Sequence, residues 1–209
     1  MERQTGGEIA EAIVSYVDPD TAMTAHWLQS GIGPREAAAK LQPACGDVEL
    51  SEETIQELEV KWRRERNAAH IVYGILGGPW NRLAGFDCKD VESPADHTKI
   101  VRYLAAVTGD QFAVDDVMQT IEPNGDLTLA LTHQGNPYSF TVRDHGRWCN
   151  VPDTLDGLNG ILERLGLTER FIELYTGGGG AGIVAFVRPD KFLPVARELG
   201  IRLESASDA

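Results

Sequence analysis

Several things are scarce in this 209-residue chain, and each scarcity argues against a class of function. It contains no run of about eighteen apolar residues, so no membrane-spanning helix is expected. Its opening residues, Met1 to Gly7, offer neither the basic start nor the apolar stretch of a secretory signal. The expected compartment is therefore the cytoplasm. Cysteine is sparse too. Cys45, Cys88 and Cys149 are odd in number and far apart, and they form no CxxC pair. That arithmetic argues against a disulfide framework or a closed zinc site and predicts reduced thiols in or near the core.

His26, His70, His97 and His133 are scattered and form no HxxxH or HExxH spacing, so neither a metal nor a cofactor is expected. Asp144, His145 and Cys149 lie close in sequence, but an intervening turn at Gly146 separates them. Adjacency alone does not make a catalytic triad. Asp115 and Asp116 would point to opposite faces of a strand and so would not share a site.

Negative charge is plentiful. Asp and Glu number 32 against 19 Lys and Arg, a net charge of −13. Such a field repels phosphate backbones and speeds encounter with a basic protein. No nucleic-acid and no membrane partner is expected, whereas a basic protein partner is. The basic residues Lys61, Arg63, Arg64 and Arg66 have Glu57, Glu59 and Glu65 as near neighbours in a helix, which predicts ion pairing on a solvated face.

The hydrophobic period divides the chain. Up to about residue 76 the apolar residues recur at helical spacing. Helices are expected over Glu8–Val17, Thr21–Ser30 and from Pro34 to about Leu41. Asp18-Pro19-Asp20 breaks the first from the second. Thr21–Pro43 has the outline of a helix-turn-helix, but the acidic balance favours a plain helical hairpin. A long helical signal then runs from its cap Ser51, through Ile55, Leu58, Trp62, Ala69 and Tyr73, to Leu76, where Gly77-Gly78-Pro79 stops it. From Gly77 to Asp96 the pattern lapses and reads as a connector. A helix over His97–Val107 follows.

Beyond Gly109 the period falls to two. A strand over Phe112–Ile121, a tight turn at Asn124-Gly125, and alternation through Leu127–Leu131 and Tyr138–Val142 predict an antiparallel meander. Asp153 is read as the cap of a helix carrying Leu155, Leu158, Ile161 and Leu165. Strands over Arg170–Tyr175 and Gly182–Val187 flank the glycine run, Pro189 opens a last helix, and Ile201–Leu203 returns as an edge. The fold class is thus α+β: a helical N-terminal part, then an antiparallel or mixed sheet with helices packed on one face. The expected organisation is 1–92 as a helical region with connector, 93–204 as an α+β domain and 205–209 as a tail.

Gly177 to Gly180 lie between two strands and lack the following helix and lysine of a phosphate loop, so a hairpin connection is expected. Leu158-Asn159-Gly160-Ile161-Leu162, Glu169 to Leu174, this glycine run and Phe186-Val187-Arg188-Pro189 together resemble uncharacterised bacterial proteins, some of them toxin-immunity-like. The resemblance covers the last third of the chain and carries over no functional residue. It implies association with a toxin. Together with the charge it gives a non-enzymatic, acidic protein-binding reading, with Tyr138, Trp148, Tyr175, Gly178 and Gly179 as partner-binding residues. Two other classes stay open. One is a small-molecule enzyme or ligand sensor with a site between the two halves, the other a structural subunit.

Overall fold

The computed structural model describes residues 21–45, 49–89, 92–175 and 180–204. The expected helix over Glu8–Val17, the break at Asp18–Asp20, Gly178, Gly179 and the tail lie outside them. The described residues form helices α1 (Thr21–Ser30), α2 (Pro34–Cys45), α3 (Glu52–Glu65) and α4 (Ala68–Gly77), then strand β1 (Leu83–Asp87) and helix α5 (His97–Ala106). Strands β2 (Asp115–Ile121), β3 (Leu127–His133) and β4 (Asn136–Val142) follow. The chain continues as α6 (Val151–Arg164), β5 (Arg170–Leu174), β6 (Ala181–Val187) and α7 (Pro189–Leu199). The class is α+β.

The long helical signal after Ser51 is two helices. Arg66 adopts a left-handed conformation (φ 52°) and ends α3, and the Asn67 side chain accepts the His70 N–H to start α4. Side-chain periodicity cannot register such a break, because the apolar stripe resumes almost in phase. Ser51 caps α3 as expected, accepting the Thr54 N–H at 3.1 Å. The cap of α6 is Asn150 and not Asp153, since Pro152 fits the first helical turn and moves the start back.

There are two antiparallel sheets, ordered β1-β6-β5 and β2-β3-β4. The stretch read as a connector supplies β1, which pairs with β6 from Leu83↔Ala185 to Asp87↔Ala181. The first sheet thus takes one strand from before residue 93 and two from after it. Helices cover one face of β2-β3-β4, as the sequence suggests for a half-buried meander. The β1-β6-β5 sheet is instead covered on both faces.

The reason is visible in β6. Its run from Gly182 to Val187 is buried throughout, and consecutive side chains enter different cores. Ile183, Ala185 and Val187 join Trp27, Leu41, Ile71, Ile75, Phe192 and Leu199 in a helical core built from α1–α4 and α7. Val184 and Phe186 join Leu104, Phe112, Leu127, Leu129, Leu158 and Ile161 in a second core, between the two sheets and α5 and α6. In the first core the Trp27 indole N–H reaches the Leu199 carbonyl at 2.8 Å, which ties α1 to the end of α7. In the second, α6 approaches β4 closely at Gly157. A Cβ there would stand 2.1 Å from Phe140 Cδ2.

Candidate functional site

Two of the residues read as partner anchors come to one end of the β1-β6-β5 sheet. Trp148 lies in the segment between β4 and α6, is 47% exposed, and forms an isolated antiparallel bridge with Lys89, just past β1. Its ring covers Gly180, where an added Cβ would meet Trp148 Cζ3 at 3.1 Å. Gly180 itself has φ 78°, a left-handed conformation that favours glycine. Tyr175, 39% exposed, directly follows β5. Trp148 and Tyr175 thus stand at the two margins of the glycine run. Tyr138 is on the other sheet, half-buried against the second core.

Each of the three rings has its own cation. Lys89 Nζ is 5.9 Å from the Trp148 ring centroid, Arg202 Cζ 5.8 Å from that of Tyr175 and Arg164 Cζ 5.6 Å from that of Tyr138. Contacts of this kind at exposed rings are worth about 0.5–1 kcal/mol, weak enough to exchange for a partner's cation.

Three acidic side chains lie at the same sheet end. Asp87, Glu173 and Glu204 all lie close enough to Cys88 to disfavour its thiolate, and burial acts in the same direction more strongly, so the thiol is pushed up to about 12. Glu173 is half-buried on β5 with Glu204 beside it. The Glu204 N–H donates to the Glu173 carbonyl at 3.2 Å. Burial first, and the Glu204 charge second, raise the Glu173 carboxyl to about 7. A carboxylate held this way is destabilised and gains from any cation brought to it.

Sequence reading missed Cys88 and Glu173. Glu173 carried a usable signal: a carboxylate two residues from the buried Phe171, in a strand whose neighbour β6 is wholly apolar. Cys88 carried none, because its surroundings come from Cys149, Gly180 and Glu173, far away in the chain.

Of the other candidates, some have structural partners and the rest are exposed. The Asp144 carboxylate accepts the Gly146 N–H at 2.7 Å, closing a turn, and His145 is exposed. Asp116 has φ 48° within a β-bulge, and it and Asp115 are exposed. His133 Nδ1 donates to the Ala113 carbonyl at 2.7 Å, and His70 Nδ1 to Glu65 at 2.9 Å. Arg63 pairs with Glu59 one turn away at 3.6 Å, and Arg64 with Glu65, the solvated pairing the sequence suggests. Among the described residues, no cluster of three His, Cys, Asp or Glu side chains is arranged to hold a metal. No described helix is long and apolar enough to cross a membrane.

A polar network supports the Trp148 segment from behind. His97 is buried and neutral. Its Nδ1–H donates to the Ala95 carbonyl at 2.9 Å, and its Nε2 accepts the Asn150 N–H at 2.9 Å. Burial is the main force lowering its pKa. Asn150 caps α6 by accepting the Asp153 N–H at 3.1 Å, and donates to Asp153 and to the Arg143 carbonyl. Arg143 in turn grips Asp153 with two bonds of 2.8 and 2.6 Å, which holds that carboxyl down at about 2. The segment from Arg143 to Asn150 is therefore anchored at both ends, with Trp148 close to its Asn150 end.

No family model, no curated protein and no solved structure matches the chain.

Proposed function

We propose that this chain is a non-enzymatic binding protein that engages a basic protein partner. The observation that carries this reading is the sheet end just described. There two exposed aromatic rings flank the glycine run, and Asp87, Glu173 and Glu204 surround Cys88 beside them. Aromatic faces next to carboxylates suit lysine and arginine side chains, by cation–π attraction and by charge. The net charge of −13 would steer such a partner at long range. A partner's cations would take the places of Lys89 and Arg202 over the rings.

Within this reading the most concrete role is that of an immunity-type protein occluding a basic toxin, to which the resemblance in the last third of the chain also leads. Occlusion needs a surface and no chemistry, and Asp144, His97 and His133 are each held in hydrogen bonds within the fold.

The test is capture at low salt from the lysate of the protein's own cell, with the wild-type chain and a Trp148→Ala/Tyr175→Ala variant as baits. A basic protein held by the wild type, released by added salt and lost with the variant would support the proposal. Two fully buried anchors of this type cost about 2 kcal/mol or more each when truncated, so retention should fall well over tenfold. Retention of nothing, or of the same protein by both baits, would defeat it.

A further inference from the structure

We propose that Cys88 and Cys149 form a reversible oxidation site that exchanges with low-molecular-weight disulfides. The inference does not rest on the basic-partner reading. The Lys89↔Trp148 bridge sets an antiparallel register, and in that register Cys88 and Cys149 stand directly opposite. The Cys149 N–H donates to the Cys88 carbonyl at 2.8 Å, while the Cys88 N–H turns to the Gly180 carbonyl at 2.7 Å, so one bond joins the two cysteines. Directly opposed residues project from the same face of a pair of strands. Directly opposed residues of an antiparallel pair have Cα atoms about 4.5–5.5 Å apart, inside the roughly 4.4–6.8 Å range that a disulfide spans. The two thiols are also close enough for a charge on Cys149 to be felt by Cys88. Both are half-buried, next to the exposed Trp148, whereas Cys45 is buried in the helical core.

The step balances as thiol–disulfide exchange. Cys149, as thiolate, attacks one sulfur of the small disulfide, whose S–S bond breaks and whose other half leaves and takes up a proton. Cys88 then attacks the Cys149 sulfur while its proton passes to the second half, which leaves as a thiol. The protein loses two protons and two electrons, and the small disulfide takes them up and becomes two thiols. Opposed cross-strand residues hold their Cβ atoms about 4.5–5.5 Å apart, at or beyond the wide end of what a relaxed disulfide prefers, so a small thiol reopens the bond. Oxidation would clip the segment bearing Trp148 to the end of β1, beside Gly180.

The experiment equilibrates the full-length wild-type chain in glutathione buffers from fully reduced to fully oxidised. Remaining thiols are alkylated, and the peptides are mapped by mass spectrometry. A peptide joining Cys88 to Cys149, absent in reduced buffer and more than tenfold enriched in oxidised buffer, is expected, with Cys45 alkylated throughout. Cys45→Ser should leave the link unchanged and Cys149→Ser should abolish it. Because the wild-type map needs no variant, a poorly folding Cys88→Ser does not block the test. Absence of the link in oxidised buffer, glutathione stopping as a mixed disulfide on one cysteine, or a link that includes Cys45 would each overturn the proposal.

Discussion

The two cores share the β1-β6-β5 sheet yet are held together by different means. On one face, α1–α4 and α7 bury an almost wholly apolar set around Trp27, Ile71, Ile75 and Phe192, with polar ties between helices at its edge, such as Trp27 to Leu199, Thr24 to the Ala68 N–H and Lys40 to Glu198. On the other face the apolar cluster around Phe112, Phe186 and Leu158 is bordered by buried polar groups, among them His97, His133, Asn150 and Thr154. The apolar core tolerates change in proportion to volume. The polar border depends on each partner being present, because one missing group strands another. The candidate binding surface is attached to the second kind of region.

The largest effect should come from removing a ring on either side of β6. Phe192→Ala empties the helical core and Phe186→Ala the second core, and each should cost about 3–5 kcal/mol. Because consecutive β6 residues belong to the two cores, both variants should lower one shared urea transition. Two separate transitions, each sensitive to one variant only, would break the comparison by showing that the cores fold independently.

A smaller loss is expected at the α6–β4 contact. Gly157→Ala would gain up to about 1 kcal/mol of helix propensity, but its Cβ falls 2.1 Å from the Phe140 ring. Net destabilisation of about 1–3 kcal/mol should follow, and Phe140→Ala in the same chain should recover part of it. Thermal denaturation of the four chains in this cycle reads the coupling, and additive effects would contradict the close approach.

The polar border predicts a pH response. His97 is held below its ordinary pKa by burial, so the unfolded chain binds its proton first as pH falls. The stability His97 contributes is therefore present above about pH 6.5 and is lost as pH drops toward its lower folded value. His97→Gln should cost roughly 1–3 kcal/mol at pH 8, by stranding the Asn150 N–H. It should also flatten the change in stability between pH 7 and 5, measured by urea unfolding. An unchanged slope would remove His97 as its source.

These contrasts were unevenly legible in the sequence. The helical face of Thr21–Ser30, the Ser51 cap, the Asn124-Gly125 turn and the continuous apolar run of β6 each carry a local signal, and each led to the right element. The break at Arg66 did not show, since a single left-handed residue barely shifts the apolar stripe. Strand β1 was hidden because Leu83–Asp87 offers only five residues with a glycine among them, and it is a strand by virtue of β6. At the candidate surface, Trp148 and Tyr175 stood out in the sequence as aromatic anchors, but that Trp148 lies against Gly180 comes from the fold alone. Cys88 and Glu173 acquire their character from residues more than fifty positions away, as with Cys88 against Cys149, or from burial, which composition does not record.

Glu173 gives the smallest effect and one opposite in sign to His97. Its carboxyl is raised to about 7 in the folded chain by burial and by Glu204, above the ordinary carboxylate value of about 4.3 it has when unfolded. Protonation therefore favours the fold. Its contribution is fully present below the ordinary value and is lost as pH rises through about 7. Glu173→Gln keeps the shape and discards the charge, so the variant should be more stable than wild type at pH 8 and equal to it at pH 4. Solvent screening of a half-buried group limits the gain to about 1 kcal/mol. Urea unfolding of both chains at the two pH values isolates the difference, because every other titrating group is common to them. A stabilised variant at pH 8 would mean that the sheet end keeps a carboxylate at a cost to its own fold, as expected where the charge serves a partner. A destabilised one would mean that Glu173 has an internal partner and belongs with the polar border of the second core.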